Sequence, residues 1–382
     1  MEKKKIVLIG NYPPDGQESM ERFAQMLQKG FAEKNYPSDI WRPKVLVGKL
    51  AVTTTSGYGK WLGYIDKWIV FPFIIRWRLK FHRFKISETQ FHICDHSNAP
   101  YIKYFPRHQS SVTCHDVLAI RGALGYPNTY CTSSRFGVIL QKWILKNLLR
   151  TTKIAFVSNF THLQLQELDT NRNEIQKKWT VIHNGFNDVF TPLELTEAKK
   201  ILNVEGLDPD QSYILHVGSG LERKNRKLLL DMVARLGNIW QGKVYYAGKP
   251  VDTDLSIHIS ALGLSDRVIS IVKPNHKLLQ ALYTVCEAFI FPSLSEGFGW
   301  PAIEAQACGA PVIASKFDPM PEINGKGALY CDPQNPDEFA SAFLSLNKGK
   351  KRIQIIKEGF KNAERFEPTL MIDEYLQFFE QQ

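Results

Sequence analysis

At 382 residues the chain is about two to three times the length of a typical single-core domain, which favours two domains with a functional site between them. With 44% hydrophobic, 12% aromatic and 23% charged residues it has ample core material, which excludes wholesale disorder and collagen-like repetition. The net charge of +10 is unevenly spread: residues 1–187 hold 27 Lys+Arg against 13 Asp+Glu and residues 188–382 hold 21 against 25, giving +14 and −4. A field of one sign on one half attracts anionic partners, whether nucleic acid, phospholipid headgroups or phosphorylated substrates, and charge alone does not choose among them.

In chain order, the start Met1-Glu2-Lys3-Lys4-Lys5 resembles the charged region of a signal peptide. The apolar run behind it breaks at Gly10-Asn11-Tyr12-Pro13-Pro14, so it reads as a buried first strand. Further short Val- and Ile-rich runs follow at Gln90–Ile93, Ser111–Thr113, Lys153–Val157, Thr180–Ile182, Tyr213–Val217, Val244–Ala247, Val268–Ile271, Ala288–Phe291 and Pro311–Ala314. Continuous rather than alternating apolarity fits strands buried on both faces, so the expected class is α/β with parallel sheets. Lys5–Gly10 and Tyr213–Val217 each lead through a glycine-bearing loop into a helix, beginning near Gln17 and Asn225, as two doubly wound units would. Turn chemistry between Asn184 and Gln211 separates the two series. The expected domains are therefore 1–187 and 188–366, with a final helix, 367–382, that could return to the first. Six scattered cysteines form no C-x-x-C pair and fit a reducing compartment without a zinc site. No run approaches the roughly 18 apolar residues a membrane span needs.

Residues 58–85 depart from the alternating pattern. Trp61, Tyr64, Trp68, Phe71, Phe73, Trp77, Phe81 and Phe84 are interleaved with Lys60, Lys67, Arg76, Arg78, Lys80, Arg83 and Lys85 against the single acid Asp66. Such a stretch either lies in an anionic headgroup interface or packs its rings into the domain core; the sequence leaves both open.

Four constellations carry chemistry. Ser295-Glu296-Gly297-Phe298-Gly299-Trp300-Pro301-Ala302-Ile303-Glu304 follows the strand Ala288–Phe291: a strand ends, a glycine-rich turn follows, and a helix begins near Pro301. That arrangement aims backbone N–H groups and a positive helix end at a phosphate or sugar hydroxyl, with Glu296 and Glu304 able to accept hydrogen bonds from separate hydroxyls. His216-Val217-Gly218-Ser219-Gly220-Leu221-Glu222-Arg223-Lys224 places two cations beside a helix start, where a diphosphate can be neutralised without a metal. Cys114-His115-Asp116 puts a histidine at the C-terminal end of a strand, and Gly16 in the loop after the first strand permits close backbone approach to a ligand. That loop lacks G-x-G-x-x-G, which counts against nicotinamide and flavin enzymes. Asp252-Thr253-Asp254 has the form of a metal-binding pair but reads better as a helix cap.

Glu296 and Glu304, separated by seven residues, with VGSGLERKN, TCHD and VIHNGFN in order along the chain, resemble the motifs of retaining family-four glycosyltransferases of GT-B architecture. The resemblance implies two Rossmann-like doubly wound domains facing across a cleft, with the C-terminal helix crossing back to the first domain. The first domain would take a saccharide or lipid-linked acceptor and the second a nucleotide-diphosphate sugar. Carried over, Arg223 and Lys224, beside Gly218, would neutralise the diphosphate. Glu304 would hold the ribose, and Glu296 with the backbone of Gly297, Phe298 and Gly299 would hold the transferred hexose. His115 would reach that sugar from the acceptor side, making His115 and Glu296 the catalytic candidates, and Gly16 would lie near phosphate or acceptor. Ser219 stands where some relatives place a basic residue, and the loop after the first strand has one glycine where many have two. The expected enzyme is a cytoplasmic hexosyltransferase of polysaccharide or glycolipid synthesis, with no cofactor or divalent metal, peripheral on the inner face of the plasma membrane if residues 58–85 meet lipid. The alternatives are a nucleotide-sugar epimerase or hydrolase of the same architecture and a non-enzymatic nucleic-acid binder. No nucleic-acid motif accompanies the charge, so nucleic acid is not an expected partner.

Overall fold

The structure is a computed structural model that describes residues 3–81, 85–170, 177–347 and 349–380. Met1, Glu2, Gln381, Gln382 and, from the basic aromatic stretch, Arg83 and Phe84 lie outside the described residues. The chain forms two units, one of residues 1–126, 131–187 and 368–382, the other of residues 127–130 and 188–367.

In the first unit the strands β1 (Lys5–Ile9), β2 (Ser38–Trp41), β3 (Thr89–Ile93), β4 (Ser110–Cys114), β5 (Lys153–Phe156) and β6 (Lys178–Val181) make one sheet in the order β2-β1-β3-β4-β5-β6. All its pairings are parallel, with Val7 opposite Phe91 and Val112 opposite Ile154. The central strands are buried on both faces: on one, Val7, Ile9, Phe91, Ile93, Val112 and Ile154 share a core with Leu148 and Leu165, and on the other His92 bonds Ser111 and Thr113 at 2.8 Å each. The helix Pro368–Glu380 belongs to this unit. Tyr375 meets Thr113 Oγ1 at 2.7 Å, and Asp373 pairs with Lys34 at 2.7 Å.

In the second unit β7 (Tyr213–Gly218), β8 (Lys243–Gly248), β9 (Val268–Val272), β10 (Ala288–Phe291), β11 (Val312–Ser315) and β12 (Ala328–Cys331) form a parallel sheet in the order β12-β11-β10-β7-β8-β9. Counted from β7 as the first, this is the 3-2-1-4-5-6 order of dinucleotide-binding sheets, whose direction of winding reverses between β7 and β10. Ile214, Val244, Ala288, Ile290 and Ile313 pack with Leu229, Met232 and Val233 of the following helix.

All ten sequence-read strands are present, and two more, β2 and β12, were not read from the sequence. Both lie at sheet edges and are only four residues long; Ser38-Asp39 interrupts the apolar run of β2, and Leu329 and Tyr330 of β12 are half-buried. Residues 59–81 are helical throughout, α at Gly59–Ile65, π at Asp66–Val70 and α at Phe71–Phe81. Leu62, Phe71 and Ile75 are buried, and the Trp68 ring packs on Trp143 at 4.9 Å and Tyr101 at 5.1 Å. One face of the stretch is therefore core, and the opposite face is exposed.

Candidate active site

In an open α/β sheet a ligand crevice forms outside the carboxyl ends of the two strands at which the winding reverses, because the loops leaving them turn to opposite faces. In the second unit those strands are β7 and β10, and the two strongest sequence constellations are the loops that leave them.

The loop after β7 turns into Arg226–Leu236 through a short 3₁₀ segment, Glu222–Lys224, and Asn225 in the left-handed region at φ 52°. The Asn225 amide fixes the turn by donating to the carbonyls of Pro292, at 3.2 Å, and Pro333, at 2.6 Å. Leu294 N–H donates to Arg223 O at 2.8 Å, which ties this loop to the one after β10. The second loop ends at Gly299, whose φ of 104° starts the helix Trp300–Ala307 with Pro301 in its first turn. A Cβ at Gly299 would stand 2.8 Å from Met320 Cε, so both conformation and space require glycine there.

These turns bring Arg223, Lys224 and Glu296 together. Lys224 Nζ donates to Glu296 Oε1 at 2.6 Å, and Arg223 Nη1 donates to Glu296 Oε2 at 2.7 Å and to Ser295 O at 2.9 Å. Burial opposes ionisation of Glu296, but the two cations outweigh it and hold its carboxyl down at about 2. Burial likewise pushes the Lys224 ammonium down, with Glu296 acting against it. The three groups together carry one net positive charge, and the carboxylate that the sequence assigned to sugar hydroxyls also anchors the cations that it assigned to diphosphate. Gly218 lies beside them: a Cβ there would be 3.7 Å from Lys224 Cδ and 3.2 Å from His216 Nε2.

Glu304 sits on the buried face of its helix and accepts a hydrogen bond from the Tyr283 hydroxyl at 3.0 Å. Phe298 is buried edge-on against Phe366 at 5.6 Å, with half-buried Gly297 preceding it. Asp252 is the N-cap of the helix Thr253–Ala261: its Oδ1 accepts from Leu255 N–H at 2.9 Å while Oδ2 pairs with Arg226. Asp254 lies in the first turn of that helix.

Two residues of this site were missed by the sequence reading. Tyr283 occupies an ordinary apolar helical position, and its role depends on a contact 21 residues away. His216 Nδ1 donates to Ile290 O at 3.0 Å, which leaves Nε2 as an unprotonated acceptor with no hydrogen-bond partner among the described residues. Burial pushes its pKa down to about 4, with Lys224 and Arg226 adding to the effect, so it is neutral at pH 7. Its place in the quoted motif was visible, but its tautomer was not.

His115 and Gly16 belong to the first unit. Counted the same way, the first sheet reverses between β1 and β3, and the loops after those strands meet through Asn11 Nδ2, which donates to Asp95 Oδ2 at 2.6 Å. Gly16, at φ 64°, lies on a cavity of about 390 Å³ with Asn11, Gln17, Glu21 and Arg42 among its walls. His115 is buried, its ring edge-on to Phe23 at 4.6 Å, and its Nε2 donates to Cys94 O at 2.8 Å. Burial lowers its pKa, with Asp95 acting in the opposite sense, and the neutral ring carries its free lone pair on Nδ1.

Residues 197–362 match the family described as glycosyl transferases group 1. Among sequence relatives, a D-inositol 3-phosphate glycosyltransferase of Mycobacterium sp. (strain KMS) is 32% identical over 195 residues, covering 49% of this chain and 43% of that protein. The chain thus spans less than half the length of that relative. Among solved structures, sucrose-phosphate synthase from Thermosynechococcus elongatus superposes with a TM-score of 0.72 at 19% identity, covering 98% of each chain. Anabaena Alr3699/HepE in complex with UDP and glucose superposes with a TM-score of 0.71 at 15% identity, again covering 98% of each. The second unit therefore carries a group 1 glycosyl transferase segment, and the chain has the GT-B fold of two parallel-sheet α/β domains.

Proposed function

We propose that this GT-B chain is a metal-independent retaining glycosyltransferase that moves a hexose from a nucleotide-diphosphate sugar to a saccharide or lipid-linked acceptor in polysaccharide or glycolipid synthesis. The observation that carries this reading is the convergence of Arg223, Lys224 and Glu296 where the winding of the second sheet reverses. Transfer of a glycosyl group from a diphosphate develops negative charge on the leaving oxygen and positive charge at the anomeric carbon. Two preorganised cations at the leaving group lower that barrier without reorganising during the reaction.

Arg223 and Lys224 bind the diphosphate, and Glu304, held by Tyr283, accepts from the ribose hydroxyls. Glu296 and the backbone of Gly297–Gly299 orient the hexose, with the Trp300–Ala307 helix start contributing its positive end. His115 lines the acceptor side through its Nδ1. The acceptor attacks the face from which the diphosphate leaves, the departing oxygen takes the acceptor proton, and the anomeric configuration is retained; no side-chain nucleophile is required. Metal independence is supported by the engagement of Asp252, whose two carboxylate oxygens are taken up by a helix cap and by Arg226. The complex of Anabaena Alr3699/HepE with UDP and glucose supports a nucleotide-sugar site in a protein of this fold.

The test is thermal stabilisation by UDP, GDP and ADP and their sugar conjugates, in magnesium and then in a chelator. A ligand at about 100 times its Kd adds about 2.7 kcal/mol. A chelator-insensitive shift with one nucleotide, abolished in Lys224→Ala and Glu304→Ala, is expected; no shift with any nucleotide refutes the reading. NMR of the product anomer then decides retention, and turnover of the donor without acceptor assigns the chain to epimerases or hydrolases instead.

A further inference from the structure

We propose that the exposed face of residues 69–81 is a docking surface for an anionic phospholipid bilayer. This inference is independent of the transfer reaction. Ile69, Phe73, Trp77 and Phe81 recur every fourth residue, which sets them along one side of the helix, and they are 65%, 70%, 55% and 60% exposed. The row is about 18 Å long at a helical rise of about 1.5 Å per residue. Side chains of this size have no reason to stand together in water unless something covers them.

The charges on the same face identify the partner. Arg76 and Lys80 are exposed beside Trp77 and Phe81, and no ion pair among the described residues engages either. Their charged groups stand over rings instead, Arg76 Cζ 5.1 Å from the Tyr104 centroid and Lys80 Nζ 5.4 Å from that of Phe81. The single acid of residues 58–85, Asp66, is turned wholly inward, where it accepts from the N–H groups of Val47, at 2.8 Å, and Gly48, at 2.9 Å, and from the Tyr12 hydroxyl at 3.0 Å. The outward face thus holds apolar rings, cations and no carboxylate, on the half of the chain that carries +14. Rings of this kind enter the acyl boundary while Arg and Lys reach back to lipid phosphates. No helix among the described residues is long and apolar enough to cross a membrane, so the segment lies along the surface. Earlier in the same helical stretch Trp61 is also exposed, and its ring contacts the exposed Phe136 at 4.9 Å.

Flotation of the full chain with vesicles of phosphatidylcholine, alone and mixed with phosphatidylglycerol, tests this directly. The chain is expected to float with the mixed vesicles, and Phe73→Ser/Trp77→Ser to reduce binding about tenfold or more. Arg76→Gln/Lys80→Gln, which leaves the rings in place, is expected to abolish the preference for anionic vesicles. Unchanged near-UV circular dichroism of both variants establishes that the fold is kept. Absence of flotation, or flotation unaltered in both variants, overturns the proposal. A lipid-free dimer in sedimentation that Phe73→Ser/Trp77→Ser dissociates also overturns it, because a second copy would then be what covers the face. Flotation reads binding without turnover, so its failure is distinguishable from failure of the transferase reading.

Discussion

Replacing Glu296 by glutamine removes the carboxylate from between Arg223 and Lys224 while keeping the shape of the side chain. In the folded protein the carboxyl is held at about 2 instead of its ordinary 4.5, which at about 1.36 kcal/mol per tenfold amounts to about 3 kcal/mol of stability at neutral pH. Because the folded pKa lies below the unfolded one, this stability is fully present above the unfolded value and is lost as pH falls through 4.5 toward about 2. Near pH 3.5, about 1 kcal/mol of it has gone. For a domain of this size roughly 2–4 °C accompany each kcal/mol, so Glu296→Gln should melt about 6–12 °C below the native protein near neutrality. That gap should narrow by about 2–4 °C near pH 3.5. Paired melting curves by circular dichroism across that range measure it. A gap that stays constant with pH refutes the reasoning, because the lost stability would then not be that of an ionised carboxylate.

Tyr283→Phe removes the hydroxyl that holds Glu304; nucleotide affinity measured by calorimetry should fall about tenfold with about 1 kcal/mol lost from the fold. Gly299→Ala puts a Cβ against Met320 at a positive φ, and should cost about 1–3 kcal/mol in denaturant unfolding and remove nucleotide-induced stabilisation. Asp252→Ala takes away a helix cap and the partner of Arg226. It should lower the melting temperature by an amount equivalent to about 1 kcal/mol, and the nucleotide-induced shift should remain insensitive to chelator. Tyr375→Phe breaks the hydroxyl contact to Thr113 and should destabilise the first unit by about 1 kcal/mol, leaving nucleotide affinity in the second unit unchanged.

The sequence by itself determined the class of fold, the order of the strands along the chain and the loops that bear the chemistry. Strands buried on both faces are written mostly in apolar residues, and turns that start helices need Gly299 and Pro301 at fixed places. Where that local requirement weakens, so did the reading: β2 and β12 are edge strands of four residues, and β2 begins with the polar Ser38 and Asp39. The tertiary structure alone decided what meets what. Arg223 and Glu296 are 73 residues apart, and only the strand order that sets β7 beside β10 makes them partners. The same pairing leaves His216 neutral, because burial and the neighbouring cations together outweigh its own hydrogen bond. Tyr283 gained its role in the same way, since a tyrosine on an apolar helix face announces nothing until a carboxylate lies opposite its hydroxyl. The basic aromatic stretch shows the division within a single helix. Its composition was legible, but which rings pack inward and which stand in solvent depends on the neighbours that bury Phe71 and Ile75 and leave Phe73 and Trp77 outside.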